Sequence, residues 1–169
     1  EVRAHGDQRD TEAVGEVERS GFSLYVAPIA RENGAMQRDW YFTAGCKLSQ
    51  LESPEDVGRK AGERALRRLR ARKVPTCRVP VIFDADTASS LMGHLAAAVS
   101  GSALYKGASF LIGKLGATLG PERFTVIDDG TLASRMGSAP FDGEGLPVRR
   151  TVVVDRGLLS SWLLDSYSA

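Results

Sequence analysis

Few side chains of this protein could bind a transition metal or act as a general base. The sequence contains two histidines, His5 and His94, and two cysteines, Cys46 and Cys77. Zinc takes imidazole or thiolate ligands, but cysteines thirty-one residues apart lack the C-x-x-C spacing of zinc ribbons and redox motifs. A catalytic histidine needs a positioned partner, and the sequence identifies none for His94. We therefore predict that His94 is packed or hydrogen-bonded at an interface of its helix.

An acidic group near glycines could form a divalent-cation site or an acid/base pair: Asp128, Asp129, Asp142 and Glu144. Asp-Gly and Glu-Gly pairs are typical of turns, because the carboxylate bonds the local backbone and glycine adopts positive φ. We predict structural turns for these residues and keep a cation site as the alternative. No serine lies in the context of a nucleophile elbow, so a serine hydrolase is not favoured.

A basic run could be interpreted as a phosphate-binding stripe: Arg64, Arg67, Arg68, Arg70, Arg72 and Lys73. The run lies where a predicted helix ends, and cations there compensate the negative end of the helix dipole. The net charge of the chain is only +1, and no nucleic-acid recognition module accompanies the run. We therefore expect no nucleic-acid partner.

The composition is typical of a folded protein in a reducing compartment. With 169 residues, 43% of them hydrophobic, the chain can bury a core without disulfide bonds. The sequence shows no signal-peptide pattern and no apolar run near the roughly twenty residues of a membrane span. Two cysteines without an evident pairing suit a reducing cytosol. We expect a cytoplasmic protein with no membrane partner.

The first half of the chain predicts a β-hairpin followed by a helix. Apolar alternation over 22–27 and an aromatic-rich stretch over 38–48 predict two strands, and Asn33-Gly34 predicts the tight turn between them. Ser53 and the proline after it predict a helix start. Pro75 ends that helix at the latest, because proline cannot continue it.

The second half predicts a helix that carries His94 and is apolar on more than one side, so that it should be largely buried. We predict a further helix over 105–115 and strands over 78–83, 124–127, 151–154 and 158–166. The predicted fold class is α+β, an antiparallel sheet with about three helices in the middle of the chain. Residues 1–20 are predicted to be a poorly ordered lead-in, and residues 21–169 a single unit.

Five runs of the sequence carry a resemblance to a known family: ENGAMQRD at 32–39, PVIFDADTASSLMGHL at 80–95, SGSALYK at 100–106, SAPFDGEG at 138–145 and WLLDSYSA at 162–169. In these runs the chain resembles the TldD/PmbA family of bacterial and archaeal peptidases, and in particular its PmbA (TldE) branch. The likeness covers roughly residues 21–169. It implies that the chain is a fragment from the middle of a longer protein.

The resemblance also identifies a helix whose metal ligands are missing. The active branch of the family carries His-Glu-x-x-x-His on this helix, with a distant cysteine as a further zinc ligand. Met92, Gly93 and Ala97 fall on the three motif positions, and none can bind zinc or take a proton from bound water. The resemblance thus implies no metal or cofactor in this chain and zinc in a partner subunit. Without metal geometry to satisfy, the helix should be regular.

The function that the resemblance implies is a non-catalytic subunit of a TldD-type zinc metallopeptidase complex, which degrades or processes small unfolded peptides. The implied partners are a TldD-like catalytic subunit or a second copy of the chain, together with small peptides. By position, the residues implied to face a partner or peptide are His94, Leu104, Tyr105, Phe141, Asp142, Gly143, Glu144 and Gly145. Two alternatives stay open: a stand-alone hydrolase with an unrecognised site, and a structural, self-associating protein. The family's association with DNA gyrase does not favour DNA binding, since it rests on proteolysis of peptides.

Overall fold

The computed structural model describes residues 15–69 and 71–169, so the predicted lead-in lies mostly outside the described residues. The chain forms two compact units: a hairpin unit of residues 18–79 and 133–137, and a helix–sheet unit made of the remaining residues. The elements of the described residues are β1 (Phe22–Val26), β2 (Ile29–Glu32), β3 (Ala35–Arg38), β4 (Tyr41–Gly45), α1 (Pro54–Leu69), α2 (Ala85–Ala98), α3 (Gly101–Tyr105), β5 (Val126–Asp129), β6 (Arg150–Asp155) and β7 (Leu158–Leu159). Antiparallel strand pairs and three helices confirm the predicted α+β class.

In the hairpin unit, the four strands form one long hairpin packed on a single helix. β1 pairs antiparallel with β4, and β2 pairs antiparallel with β3 nearer the tip. Asn33 and Gly34 turn the chain there with φ of 47° and 81°, as the sequence predicts. The helix α1 packs across one face of the hairpin, where Val57, Ala61 and Ala65 are buried. One face of the hairpin is therefore covered by α1.

The helix α1 begins where the sequence predicts. The Asp56 amide donates a hydrogen bond to Ser53 Oγ at 3.1 Å, which satisfies one of the free amides of the first turn. Towards the other end, the Arg68 guanidinium lies 3.7 Å from the Asp39 carboxylate of the hairpin. Arg70 of the predicted basic run lies outside the described residues. Arg68, one of the described arginines of this run, thus has a partner within the fold.

The helix–sheet unit packs α2, the following loops and a three-stranded antiparallel sheet in the order β5-β6-β7. Its fully buried apolar side chains are Val99, Leu111, Val153, Val154 and Leu159. Ser109 is buried beside them, and its hydroxyl donates to the Ala98 carbonyl at 2.6 Å while it accepts the Leu111 amide at 3.1 Å. This hydroxyl ties the end of α2 to the loop that carries Leu111.

The prediction of a helix over 105–115 is wrong. The helix is α3, which ends at Tyr105, and turns follow it. Gly107 and Gly113 adopt φ of 65° and 71°, which breaks the right-handed helical geometry twice within the predicted span. The strand predicted over 158–166 is also shorter, since β7 ends at Leu159.

Two further predictions are wrong, because no other described element packs over the segments concerned. The strand predicted over 78–83 does not form, and Ile82 is 98% exposed. The helix α2 is largely exposed, and Ala98 is the one residue buried along its described length. A strand needs a hydrogen-bonded neighbour and an apolar helix needs a packed surface, and the described residues supply neither at these places.

Candidate functional site

The three positions that the resemblance aligns with a zinc motif lie on one exposed stretch of α2. Met92 is 42% exposed, Gly93 has open space beside its Cα, and Ala97 is exposed one turn later. The helix runs through them without interruption, as predicted for a helix without metal geometry to satisfy. No cluster of three or more His, Cys, Asp or Glu side chains that could hold a metal ion occurs in residues 15–69 and 71–169. The residues on α2 therefore do not fit a zinc ion.

The end of α2 is joined to the last described segment of the chain. The Gly101 amide donates to the Leu163 carbonyl at 2.7 Å, and the Leu163 amide donates to the Val99 carbonyl at 2.9 Å. These two bonds form a parallel bridge between Ser100 and Leu163. The first turn of α3 and residues 163–169 are held side by side as a result. Gly101 is buried at this crossing, and a side chain at this position would overlap Ser168.

Tyr105 is one of the predicted face residues that contact this segment. Its ring lies edge-on to the Tyr167 ring at 5.0 Å between centroids, and the Tyr167 hydroxyl donates to the Tyr105 hydroxyl at 3.0 Å. That hydrogen bond raises the pKa of Tyr167 above its ordinary value of 10.0, because donation requires the protonated phenol. Leu104, the preceding residue, is half-buried in α3, and both tyrosines stay largely exposed.

Glu144 contacts the same segment from the predicted loop over 141–145. Its Oε2 atom accepts the Ser166 amide at 3.0 Å and the Ser166 hydroxyl at 3.1 Å. Within the loop, Asp142 Oδ1 accepts the amides of Glu144 and Leu146, each at 2.9 Å. Gly145 takes a φ of 79° there. Asp142 therefore stabilises a turn, as the sequence predicts, and that turn presents Glu144 to residues 165–168.

The turn over 165–168 is itself closed by a carboxylate. Asp165 Oδ1 accepts the Ser168 hydroxyl at 2.5 Å and the Ser168 amide at 2.9 Å, and these bonds lower the pKa of the Asp165 carboxyl. Asp165 and Ser168 were not predicted as site residues, although they belong to the WLLDSYSA run that carries the resemblance. Their signal was the local pattern of an acid followed three residues later by a serine.

The structure thus brings together some of the predicted face residues and leaves others apart. Tyr105 and Glu144 both contact residues 165–168, while His94 lies exposed on α2 and Phe141 forms a bridge with Pro147. We name the group formed by Tyr105, Glu144 and residues 165–168 the tyrosine–serine cluster. It contains hydroxyls and carboxylates but no imidazole or thiol, so the chemistry it offers is hydrogen bonding.

Asp129, which was also considered for a cation site, serves a different turn. Asp129 Oδ1 accepts the Thr131 hydroxyl at 2.6 Å and the Thr131 amide at 3.0 Å, which lowers the pKa of the Asp129 carboxyl. The second carboxylate oxygen lies 3.8 Å from the Arg150 guanidinium. These contacts agree with the predicted turn role.

No helix in the described ranges is both long enough and apolar enough to cross a membrane.

Comparison with known sequences identifies two domain families along the chain. Residues 12–69 match the model of the PmbA/TldA metallopeptidase central domain, and residues 76–169 match that of the PmbA/TldA metallopeptidase C-terminal domain. The chain is 41% identical over 147 residues to Metalloprotease PmbA of Escherichia coli O157:H7, covering 87% of this chain and 33% of that protein. It is 36% identical over 149 residues to a Metalloprotease PmbA homolog of Haemophilus influenzae, covering 88% and 33%.

Solved structures show the same fold. A Bacteroides thetaiotaomicron protein proposed as a modulator of DNA gyrase superposes with a TM-score of 0.85 at 30% identity, covering 92% of this chain and 36% of that chain. TldE of Thermococcus kodakarensis superposes with a TM-score of 0.67 at 21% identity, covering 88% and 34%, which shows the fold alone. The chain spans about a third of the length of its curated relatives. With both domain families matched in order along it, the chain belongs to the PmbA/TldD metallopeptidase family.

Proposed function

We propose that this chain is part of a non-catalytic, PmbA/TldE-like subunit of a TldD-type zinc metallopeptidase complex that degrades or processes small unfolded peptides. The observation that carries the proposal is the chemistry of α2. A thioether at Met92, a hydrogen at Gly93 and a methyl group at Ala97 stand where the active branch has two zinc ligands and a general base. Zinc, general base and bond cleavage would therefore come from the partner subunit.

The class of substrate is supported by the relatives. The proteins of Escherichia coli and Haemophilus influenzae that share 41% and 36% identity with this chain are both named metalloproteases. Holding a peptide needs shape and hydrogen-bonding groups but no metal ion. A family member without zinc ligands can therefore contribute to a peptidase by enclosing and orienting its substrate.

The surface that would meet the partner or the peptide comprises His94 on α2, Leu104 and Tyr105 on α3, and the loop from Phe141 to Gly145. Tyr105 and Glu144 give this surface its hydrogen-bonding groups through the tyrosine–serine cluster. The exposed apolar side chains of α2 support an interface, since exposed apolar patches of this kind mark protein contacts. The partner is a TldD-like subunit or a second copy of the chain.

The proposal includes a cytoplasmic location, with neither a nucleic acid nor a membrane as partner. Both cysteines are free thiols, and Cys77 is exposed, which suits a reducing compartment. Glu52 and Asp39 lie within ion-pair distance of Lys60 and Arg68, so part of the basic charge is already compensated within the fold.

The test is to purify the full-length protein from its host and to identify what is retained with it. We expect a family member that carries His-Glu-x-x-x-His, with zinc stoichiometric to that subunit and peptide cleavage only by the mixture. Cleavage of a peptide library by the isolated protein with bound zinc would instead establish a stand-alone hydrolase. Self-association without such a partner would establish a structural protein.

A pair of variants locates the interface. His94→Glu places a carboxylate on the surface proposed to meet the partner, whereas Leu66→Glu places one at an exposed position of α1. We expect the first variant to weaken retention of the partner at least about tenfold, because an unpaired charge in an interface is costly. Leu66→Glu should leave retention unchanged, and equal losses in both variants would contradict the proposed surface.

A further inference from the structure

The hairpin unit has a second large face, opposite the one covered by α1. Side chains of successive residues alternate between the two faces, and exposure follows this alternation along both arms. On the face away from α1, five large apolar side chains are between 41% and 63% exposed: Tyr25, Ile29, Met36, Trp40 and Phe42. We call this the outer face. A bare apolar face of this extent in a folded unit indicates a binding surface.

Three of these side chains form a continuous aromatic row. The rings of Tyr25 and Trp40 stack with centroids 6.0 Å apart and an interplanar angle of 26°, and those of Trp40 and Phe42 lie 5.7 Å apart. Tyr25 stands directly opposite Phe42 in the strand register, so the row crosses the hairpin. Side chains on one side of an extended peptide repeat at about 6.6 Å, which matches these spacings. An extended peptide can therefore set alternate side chains along the row.

The charges of the outer face are of one sign. Arg31 and Arg38 lie on it towards the tip of the hairpin, opposite Met36 and Ile29 in the register. The positions that share this face by alternation over 23–31 and 36–44 contain no Asp or Glu. The whole hairpin unit, residues 18–79 and 133–137, has fourteen Lys and Arg against seven Asp and Glu, although the complete chain is almost neutral. The outer face thus has the aromatic row at one end and, towards the tip of the hairpin, two arginines beside the apolar Ile29 and Met36.

We propose that the outer face binds extended acidic peptides, with apolar side chains on the aromatic row and carboxylates on Arg31 and Arg38. The inference rests on the proposed function, because it names the class of peptide that the subunit would hold. Charge complementarity decides between occupants. A second copy of the chain, paired through the same face, would offer no carboxylate to Arg31 and Arg38, because the positions that share this face contain no Asp or Glu. A nucleic acid would find two cations, Arg31 and Arg38, for its phosphates at the positions that share this face.

The fluorescence of Trp40 tests this binding directly. The chain has two tryptophans, so Trp162→Phe leaves Trp40 as the sole reporter on the outer face. The probe is a capped peptide of alternating residues, in which phenylalanine, leucine, glutamate and aspartate are separated by serines. We expect a saturable change in Trp40 emission with this peptide, and at least about tenfold weaker binding when lysines replace its two acids.

Variants in the Trp162→Phe background assign the contacts. Tyr25→Ser should weaken peptide binding at least about fivefold, as expected for a central aromatic contact. The double variant Arg31→Gln/Arg38→Gln should weaken it about tenfold and remove most of its dependence on salt. Two control variants lie on α1: Leu66→Ser also removes an exposed apolar side chain, and Arg67→Gln also removes a positive charge. Both should leave the affinity for the peptide unaltered. Far-UV circular dichroism and the urea midpoint establish that each variant is folded.

Several results would overturn the inference. They are the absence of a saturable signal, equal binding of the lysine peptide, and equal losses in the α1 control variants. Tighter binding of an oligodeoxythymidine than of the peptide would assign the face to nucleic acid instead. A dimer that Tyr25→Ser dissociates would assign it to a second copy. Failure to retain a zinc-bearing partner would contradict the proposed function alone, since these titrations need no partner.

Discussion

Replacing Gly101 by alanine should destabilise the helix–sheet unit, although alanine is the better helix former. A Cβ atom on Gly101 would overlap the Ser168 hydroxyl, lie 2.7 Å from Ser168 Cβ and approach Leu164 Cα to 3.3 Å. Leu164 contributes backbone here, so residues 164–168 must move away from α3. That movement would weaken the 2.7 Å hydrogen bond from the Gly101 amide to Leu163.

The size of the effect follows from two costs and one opposing gain. Overpacking at a close contact costs about 1–3 kcal/mol, and a weakened hydrogen bond adds about 0.5–1.5 kcal/mol. The gain in helix propensity from glycine to alanine returns about 0.5–1 kcal/mol. We therefore expect a net loss of about 0.5–4 kcal/mol in the free energy of unfolding. Gly93→Ala is the matched control, because Gly93 lies on α2 with nothing within 4 Å. It should stabilise the chain by about 0.5–1 kcal/mol.

Urea unfolding followed by tryptophan fluorescence measures both variants. In a Trp40→Phe background the signal comes from Trp162, which packs against the core of the helix–sheet unit. Ser168→Gly removes the side chain that the new methyl group would meet. Adding it to Gly101→Ala should therefore recover part of the loss in a double-mutant cycle.

Two outcomes would contradict close packing at Gly101. One is a Gly101→Ala chain that unfolds at the same urea concentration as the unchanged protein. The other is a double-mutant cycle without coupling between Gly101 and Ser168. Either result would mean that residues 163–169 do not pack against the first turn of α3.

Three further predictions concern hydrogen bonds. Ser53→Ala should cost about 1 kcal/mol in urea unfolding, since it removes the acceptor for the Asp56 amide at the start of α1. Ser53→Thr should retain most of that stability, because it keeps the hydroxyl that also donates to the Asp56 carboxylate. Ser109→Ala should cost about 1–3 kcal/mol, because it leaves a buried carbonyl and a buried amide without the hydroxyl, whereas Ser109→Thr should keep them satisfied. Tyr105→Phe should lower the pKa of Tyr167 towards its ordinary value, as followed by NMR of the phenol carbon. Since the pKa of Tyr167 is raised in the folded chain, its hydrogen bond to Tyr105 stabilises the fold below about pH 10 and is lost as pH rises through the folded pKa. An unchanged titration of Tyr167 in Tyr105→Phe would exclude this hydrogen bond.

Local patterns predicted the hairpin unit well. The turn at Asn33-Gly34, the strands β1 and β4 and the start of α1 at Pro54 follow from residues close in sequence, whereas β2 and β3 beside the turn were not predicted and β4 is shorter than the predicted strand over 38–48. Conformational preference and capping act over a few residues, so they can be evaluated without tertiary information. The turn role of Asp142 was predictable for the same reason, since its hydrogen bonds reach at most four residues along the chain.

Predictions that depended on distant partners were less successful. Residues 78–83 have the composition of a buried strand but no strand beside them in the described chain, and α2 has apolar residues but little covering surface. The end of α3 at Tyr105 depends on positive φ at Gly107, a conformation that composition permits but does not require. These features are decided by what packs against a segment.

The chemistry available on α2 follows from residue types alone, because Met92, Gly93 and Ala97 have no group that binds zinc in any conformation. The class of fold and the family resemblance also follow from the sequence. Only the tertiary structure decided which side chains meet: it brought Tyr105 and Glu144 to residues 165–168, and it placed arginines and aromatic rings on one bare face of the hairpin. The physical reason is that side-chain type is a property of one residue, whereas contacts between distant residues arise from packing that no local pattern specifies.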